Sequence, residues 1–128
     1  MTVATQGESV TTRQRFLVLH MSDAAGAPWS PETDEPALQR WLELRDGPEG
    51  WPANGDVLRP ADTARRITAH GGDVVVTDGP FPEFKEWFLG VEWIDARDIE
   101  EATRLLASHP TARIGRLYVV PAVHPPSA

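Results

Sequence analysis

From Trp87 to Asp95 the sequence reads as a strand with two apolar faces. Trp87, Leu89, Val91 and Trp93 fall on one side, and Phe88, Gly90, Glu92 and Ile94 on the other. Side chains alternate across a strand, so a segment of this kind needs cover on both sides. Phe16 to Met21 (Phe-Leu-Val-Leu-His-Met) is a second continuous apolar run and reads as a buried central strand. Only two stretches have helical spacing, and two helices cover one face of a sheet. The other face would be a liability in a monomer. The pattern therefore predicts a homodimer joined through the sheet face.

The helical stretches are Pro36 to Arg45, with Leu38, Trp41, Leu42 and Arg45 on one side, and the segment from Asp98, with Ile99, Ala102, Leu105 and Leu106. Asp46-Gly47-Pro48 stops the first helix. Asp98 and Glu101 have capping-box spacing at the start of the second, which should end before Pro110. Residues 62–77 read as a hairpin closed on Gly71-Gly72, a pair suited to a tight primed turn with positive φ at both positions. Glu49 to Pro60 reads as loop, and Ile114 to Val120 as the last strand. The order is β-α-β-β-β-α-β. That is an α+β, ferredoxin-like plan with a mostly antiparallel sheet and two helices on one face. Residues 1–14 are expected to be a flexible segment, 15–121 the domain, and 122–128 a proline-rich tail.

Composition narrows the function classes. The chain of 128 residues has no cysteine, which excludes disulfides, thiolate metal sites and cysteine nucleophiles. Net charge is −7, and the twelve Lys and Arg are scattered, so no nucleic-acid partner is expected. No apolar run approaches the ~20 residues that span a bilayer, and the N-terminal stretch has no apolar signal core. A cytoplasmic protein without a membrane partner is the expectation. There is no phosphate loop, nucleophile elbow or dinucleotide fingerprint. No two of the four His residues have ligand spacing on one element, so neither cofactor nor metal is expected.

Val76-Thr77-Asp78-Gly79-Pro80-Phe81, followed by Lys85-Glu86, resembles the signature of the DGPF-type YCII-related proteins. Leu89-Gly90-Val91 and Asp98-Ile99-Glu100-Glu101-Ala102 match the pattern further on, and the resemblance covers roughly residues 15–121. It implies a dimeric α+β barrel, in which two ferredoxin-like units pack sheet to sheet and each keeps a cleft. Members are often encoded near sigma factors of the extracytoplasmic-function type, and their biochemical role is generally unassigned. For YCII relatives a His and Asp pair has been proposed for acid–base chemistry. The family's usual His lies early in the first helix, whereas residues 32–46 here contain none.

The candidate catalytic residues are His20, at the end of the first strand, and Asp78, at the end of the hairpin. Facing one cleft, they would form an acid–base pair. The alternatives are a satisfied core His and an Asp that bonds the backbone of its own turn. Phe81, Lys85, Trp87 and Glu92 are the candidate ligand-binding residues. Glu83, Lys85 and Glu86, which follow Phe81, either line a pocket entrance or belong to a solvated surface. Glu92 interrupts an apolar face, so it either faces the cleft or pairs with an Arg such as Arg116. Three functions fit: a small-molecule-binding or accessory protein with an apolar cleft, an enzyme moving a proton on a small organic acid, or a protein-interaction module in regulation.

Overall fold

A computed structural model describes residues 13–48, 50–51 and 54–126. Its elements are β1 (Gln14–Ser22), α1 (Pro31–Asp46), β2 (Asn54–Val57), a short 3-10 turn (Ala61–Thr63), β3 (Arg65–Thr68), β4 (Val75–Asp78), β5 (Phe88–Ala96), α2 (Ile99–Ala107), α3 (Thr111–Ile114) and β6 (Gly115–Pro121). The sheet order is β2-β5-β1-β6, and every pairing is antiparallel. β1 and β2 thus flank β5 in parallel, with α1 between them in sequence. β5 and β6 flank β1 in the same way, with α2 between. Two interleaved split β-α-β units make the ferredoxin-like fold.

The second strand of this plan is not the one read from the sequence. Asn54–Val57, read as loop, is the strand that pairs with β5. Its four residues are exposed and only Val57 is apolar, so no alternation marks them. Gly55 is what admits the strand, because a Cβ there would meet the Val91 carbonyl and the Glu92 backbone. The hairpin β3–β4 pairs only with itself and lies between the second and third sheet strands in sequence. Its connection is also not a two-residue turn. Thr68 pairs with Val75, leaving six residues, of which Gly72 takes positive φ (94°) while Gly71 does not.

Helix α1 starts five residues before the apolar spacing, because Ser30 and Pro31 provide its entry. Asp34 accepts a hydrogen bond from the Ser30 N–H (2.7 Å) and from Arg113 Nε (2.9 Å), tying the helix start to α3. Asp98 caps α2 as its spacing predicts, accepting from the Glu101 N–H at 2.8 Å. The reciprocal Glu101 bond goes to the Arg97 N–H.

Phe16, Val18, Ile94 and Ala96 on the sheet pack with Trp41, Trp51, Ala102 and Leu106 from the helix side. On the opposite face lie Leu17, Leu19, Leu89, Val91, Trp93, Tyr118 and Val120, with Tyr118 and Val120 40% and 45% exposed. Among the described residues no helix covers this face. The expected flexible segment lies, for residues 1–12, outside the described residues, as do residues 127–128 of the expected tail.

The Asp34–Arg113 contact gives a pH-dependent prediction. The Arg113 guanidinium, helped by the Ser30 N–H, holds the Asp34 carboxyl at about 2, below the ordinary 3.8. Its stabilisation is complete above the ordinary value and disappears as the folded protein protonates. Asp34→Asn should lower the unfolding free energy at pH 6. The gap between variant and parent should narrow as the pH falls from 4 to 2, which chemical denaturation at each pH measures.

Candidate functional site

His20 lies on the helix-covered face of β1, directly opposite Gly90 of β5, and Glu92 lies opposite Val18. In an antiparallel pair this makes His20 and Glu92 diagonal neighbours on one face, within reach of each other. His20 Nε2 is 2.6 Å from Glu92 Oε1, and His20 Nδ1 is 2.9 Å from Thr111 Oγ1. Each of the two side chains is 11% exposed. A buried carboxylate and a buried imidazole so close satisfy one another. The Thr111 hydroxyl can donate to a neutral ring or accept from a protonated one. The trio therefore keeps both hydrogen bonds in either protonation state of His20.

His109 follows α2. Its ring stands edge-on to His20 (4.6 Å between centroids) and to Trp41 (4.8 Å). Its Nδ1 accepts a hydrogen bond from the Thr111 N–H at 3.1 Å. Burial pushes its pKa from 6.5 to about 4, and neighbouring His20 pushes the same way against the pull of Glu92. The ring is therefore neutral at neutral pH, and it belongs to the site.

These groups form the polar end of a cavity of about 720 Å³. Trp29, Leu38, Trp41, Leu42 and Ile114 supply apolar wall, and Arg45, Asp46 and Asp56 add charge. Arg45 Nε donates to Asp46 Oδ1 at 2.8 Å, which raises the Arg45 pKa and lowers that of Asp46. An apolar chamber with a few convergent polar groups is the usual form of a small-molecule site.

Of the residues read from the sequence, the structure brings His20 and Glu92 together. Glu92 pairs with His20 rather than with Arg116, which bonds Asp23 and Glu86 instead. Asp78 does not meet His20. It ends β4, in the separate hairpin, where its exposed carboxylate pairs with Arg65 at 3.2 Å. Phe81 is buried in a second aromatic cluster with Phe84 and Trp87, and Arg66 sits over its ring at 5.1 Å. Lys85 is exposed. None of Asp78, Phe81, Lys85 and Trp87 lines the cavity.

Sequence reasoning missed Thr111, Arg45 and the role of His109. The one available signal was His109-Pro110-Thr111, where a helix must stop and turn back toward the sheet.

The model of the YCII-related domain matches residues 32–124. The chain belongs to the YCII-related family. Glu92, His109 and Thr111 lie inside the matched residues of the YCII-related domain, and His20 lies before them. The chain is also similar to an uncharacterized protein of Rhizobium meliloti (strain 1021). The two are 28% identical over 88 residues, covering 67% of this chain and 71% of that protein. No described helix is long and apolar enough to cross a membrane.

Proposed function

We propose that this YCII-related protein binds a small organic acid in its cavity, works as a homodimer packed through the open sheet face, and moves a proton on its ligand with His20 and Glu92. The observation that carries the binding reading is an apolar chamber ending in buried, ionisable groups. A surface built to dock a protein segment would have no use for a His, a carboxylate and a second His at its floor. Arg45 supplies a cation for a ligand carboxylate, although it shares that charge with Asp46. The proton-transfer reading rests on the 2.6 Å contact between His20 and Glu92, with Thr111 orienting the ring. Both His20 nitrogens are engaged, so the Glu92 carboxylate would take the proton from the ligand while the His20 Nε2–H stays on its Oε1. The sheet-face dimer is supported by the row of apolar side chains that no helix among the described residues covers.

The test begins with a panel of small aliphatic and aromatic carboxylic acids, followed by backbone NMR shifts. Binding should move resonances of Leu38, Leu42, Val91 and Glu92, and Arg45→Met should weaken it. A panel that moves none of them, or moves only exposed residues of the hairpin, removes the binding reading. For any acid that binds, deuterium exchange at its activated C–H reports proton transfer. Glu92→Gln should slow that exchange by ~10²–10⁴-fold while the acid still binds. Exchange at the parental rate in Glu92→Gln would leave a binding protein with no proton-transfer role.

A further inference from the structure

Among the described residues, one group of His, Asp and Glu side chains lies close enough to share an ion. One donor atom each from His20, Glu92 and His109 lie within 4.8 Å of one another. We infer that this cluster binds a divalent first-row transition metal through two imidazoles and one carboxylate, with the remaining positions open to the cavity.

The donor set suits zinc, iron(II), manganese or cobalt, and three protein ligands leave room for a water or ligand atom. The three ligands come from β1, from β5 and from the turn after α2, so no spacing along one element reveals the site. Metal–ligand bonds of ~2.0–2.2 Å place donors roughly 3–3.5 Å apart. The widest pair must therefore close by at most about 1.3–1.8 Å, while His20 and Glu92 open from their present 2.6 Å. Ligation by His109 Nδ1 would displace the Thr111 N–H that bonds it at 3.1 Å.

The surroundings are those of a metal ligand. The His20 nitrogen away from Glu92 already bonds Thr111 Oγ1, the outer contact that fixes a ligating imidazole. Trp41 stands edge-on to the His109 ring, and Asp56 lines the same cavity as further negative charge beside the Arg45–Asp46 pair. Metal would take the place of the hydrogen between His20 and Glu92, so the proton transfer proposed above belongs to the metal-free protein. The inference depends on the proposed function only for a cavity that admits a ligand.

Cobalt(II) alone, added to the full-length protein after chelator treatment, is the probe. One equivalent should bind and give visible d–d bands, and equimolar zinc should abolish them. His109→Ala and Glu92→Gln should weaken binding at least ~10–100-fold, and Thr111→Val about tenfold. His70→Ala, which alters an exposed His outside the cluster, should bind as the parent does. Where a variant unfolds, the parent decides the matter. Zinc should shift or broaden the His20 and His109 ring protons and leave those of His70 and His124 in place. Absence of stoichiometric binding overturns the inference, as does binding that survives in His109→Ala or shifts only His70 and His124. Carboxylic acids that bind a protein unable to hold cobalt would keep the proposed function and remove the metal.

Discussion

Trp41→Ala is expected to lower the unfolding free energy by about 3–5 kcal/mol and the melting temperature by roughly 10–20 °C. Trp41 is 3% exposed and leaves α1 to enter the core cluster. Its ring packs edge-on against Trp51 (5.4 Å) and His109, and its Nε1–H donates to the Leu105 carbonyl at 3.2 Å. One side chain thus joins α1, the loop after it and the end of α2. Alanine removes most of that buried area and leaves a void that a two-layer fold cannot close by a small shift. Trp41→Phe keeps a ring but loses the indole bond, so about 1–2 kcal/mol should go. Chemical denaturation of both variants checks the pair. A loss below 1 kcal/mol for alanine would show that α1 is held elsewhere.

The second large effect concerns assembly. On the dimer proposed above, light scattering at micromolar concentration should give twice the 14.1 kDa chain mass. Leu19 lies at the middle of the open face, opposite Val91 on one side and Tyr118 on the other. Leu19→Lys places an ammonium where the partner sheet would press, with no carboxylate facing it in the register. The dimer should weaken by at least ~100-fold, equivalent to about 3 kcal/mol, and the mass should fall to that of one chain. Stability measured on the dissociated chain should change little, because the lysine then points into water. A wild-type protein that is monomeric at micromolar concentration sinks the dimer. A Leu19→Lys protein that stays dimeric places the contact on another surface.

Much of the architecture could be read from the apolar runs, because Phe16–Met21 and Trp87–Asp95 fall on the two inner strands of the sheet, each paired on both sides. The faces could be read too. The alternation that puts Ile94 in the core also puts Glu92 there, and Phe16 and Val18 do the same for His20. The register was not legible. Nothing in either strand says that His20 faces Gly90, and only that pairing makes Glu92 its neighbour. With the register unknown, Asp78 was as good a partner as Glu92, and its strand-end position favoured it. Asn54–Val57 was hidden for a different reason. An edge strand pairing on one side, with Gly55 fitted under Glu92, needs backbone shape rather than apolar content. The valines of β4 gave the opposite error. Val75 and Val76 are 54% and 53% exposed, so a strong strand signal came from a hairpin outside the sheet.

The double duty of Trp41 affects how such a protein can change over generations. Its indole is both cavity wall and core anchor. A mutation there that reshapes the chamber for a new ligand also costs the fold most of its margin. Trp29 borders the same chamber but is 45% exposed, and Leu38 and Leu42 are only half-buried. Changes at those three positions alter the chamber with far less effect on folding. Relatives that take different ligands should therefore differ first at 29, 38 and 42, and should keep a large aromatic side chain at position 41.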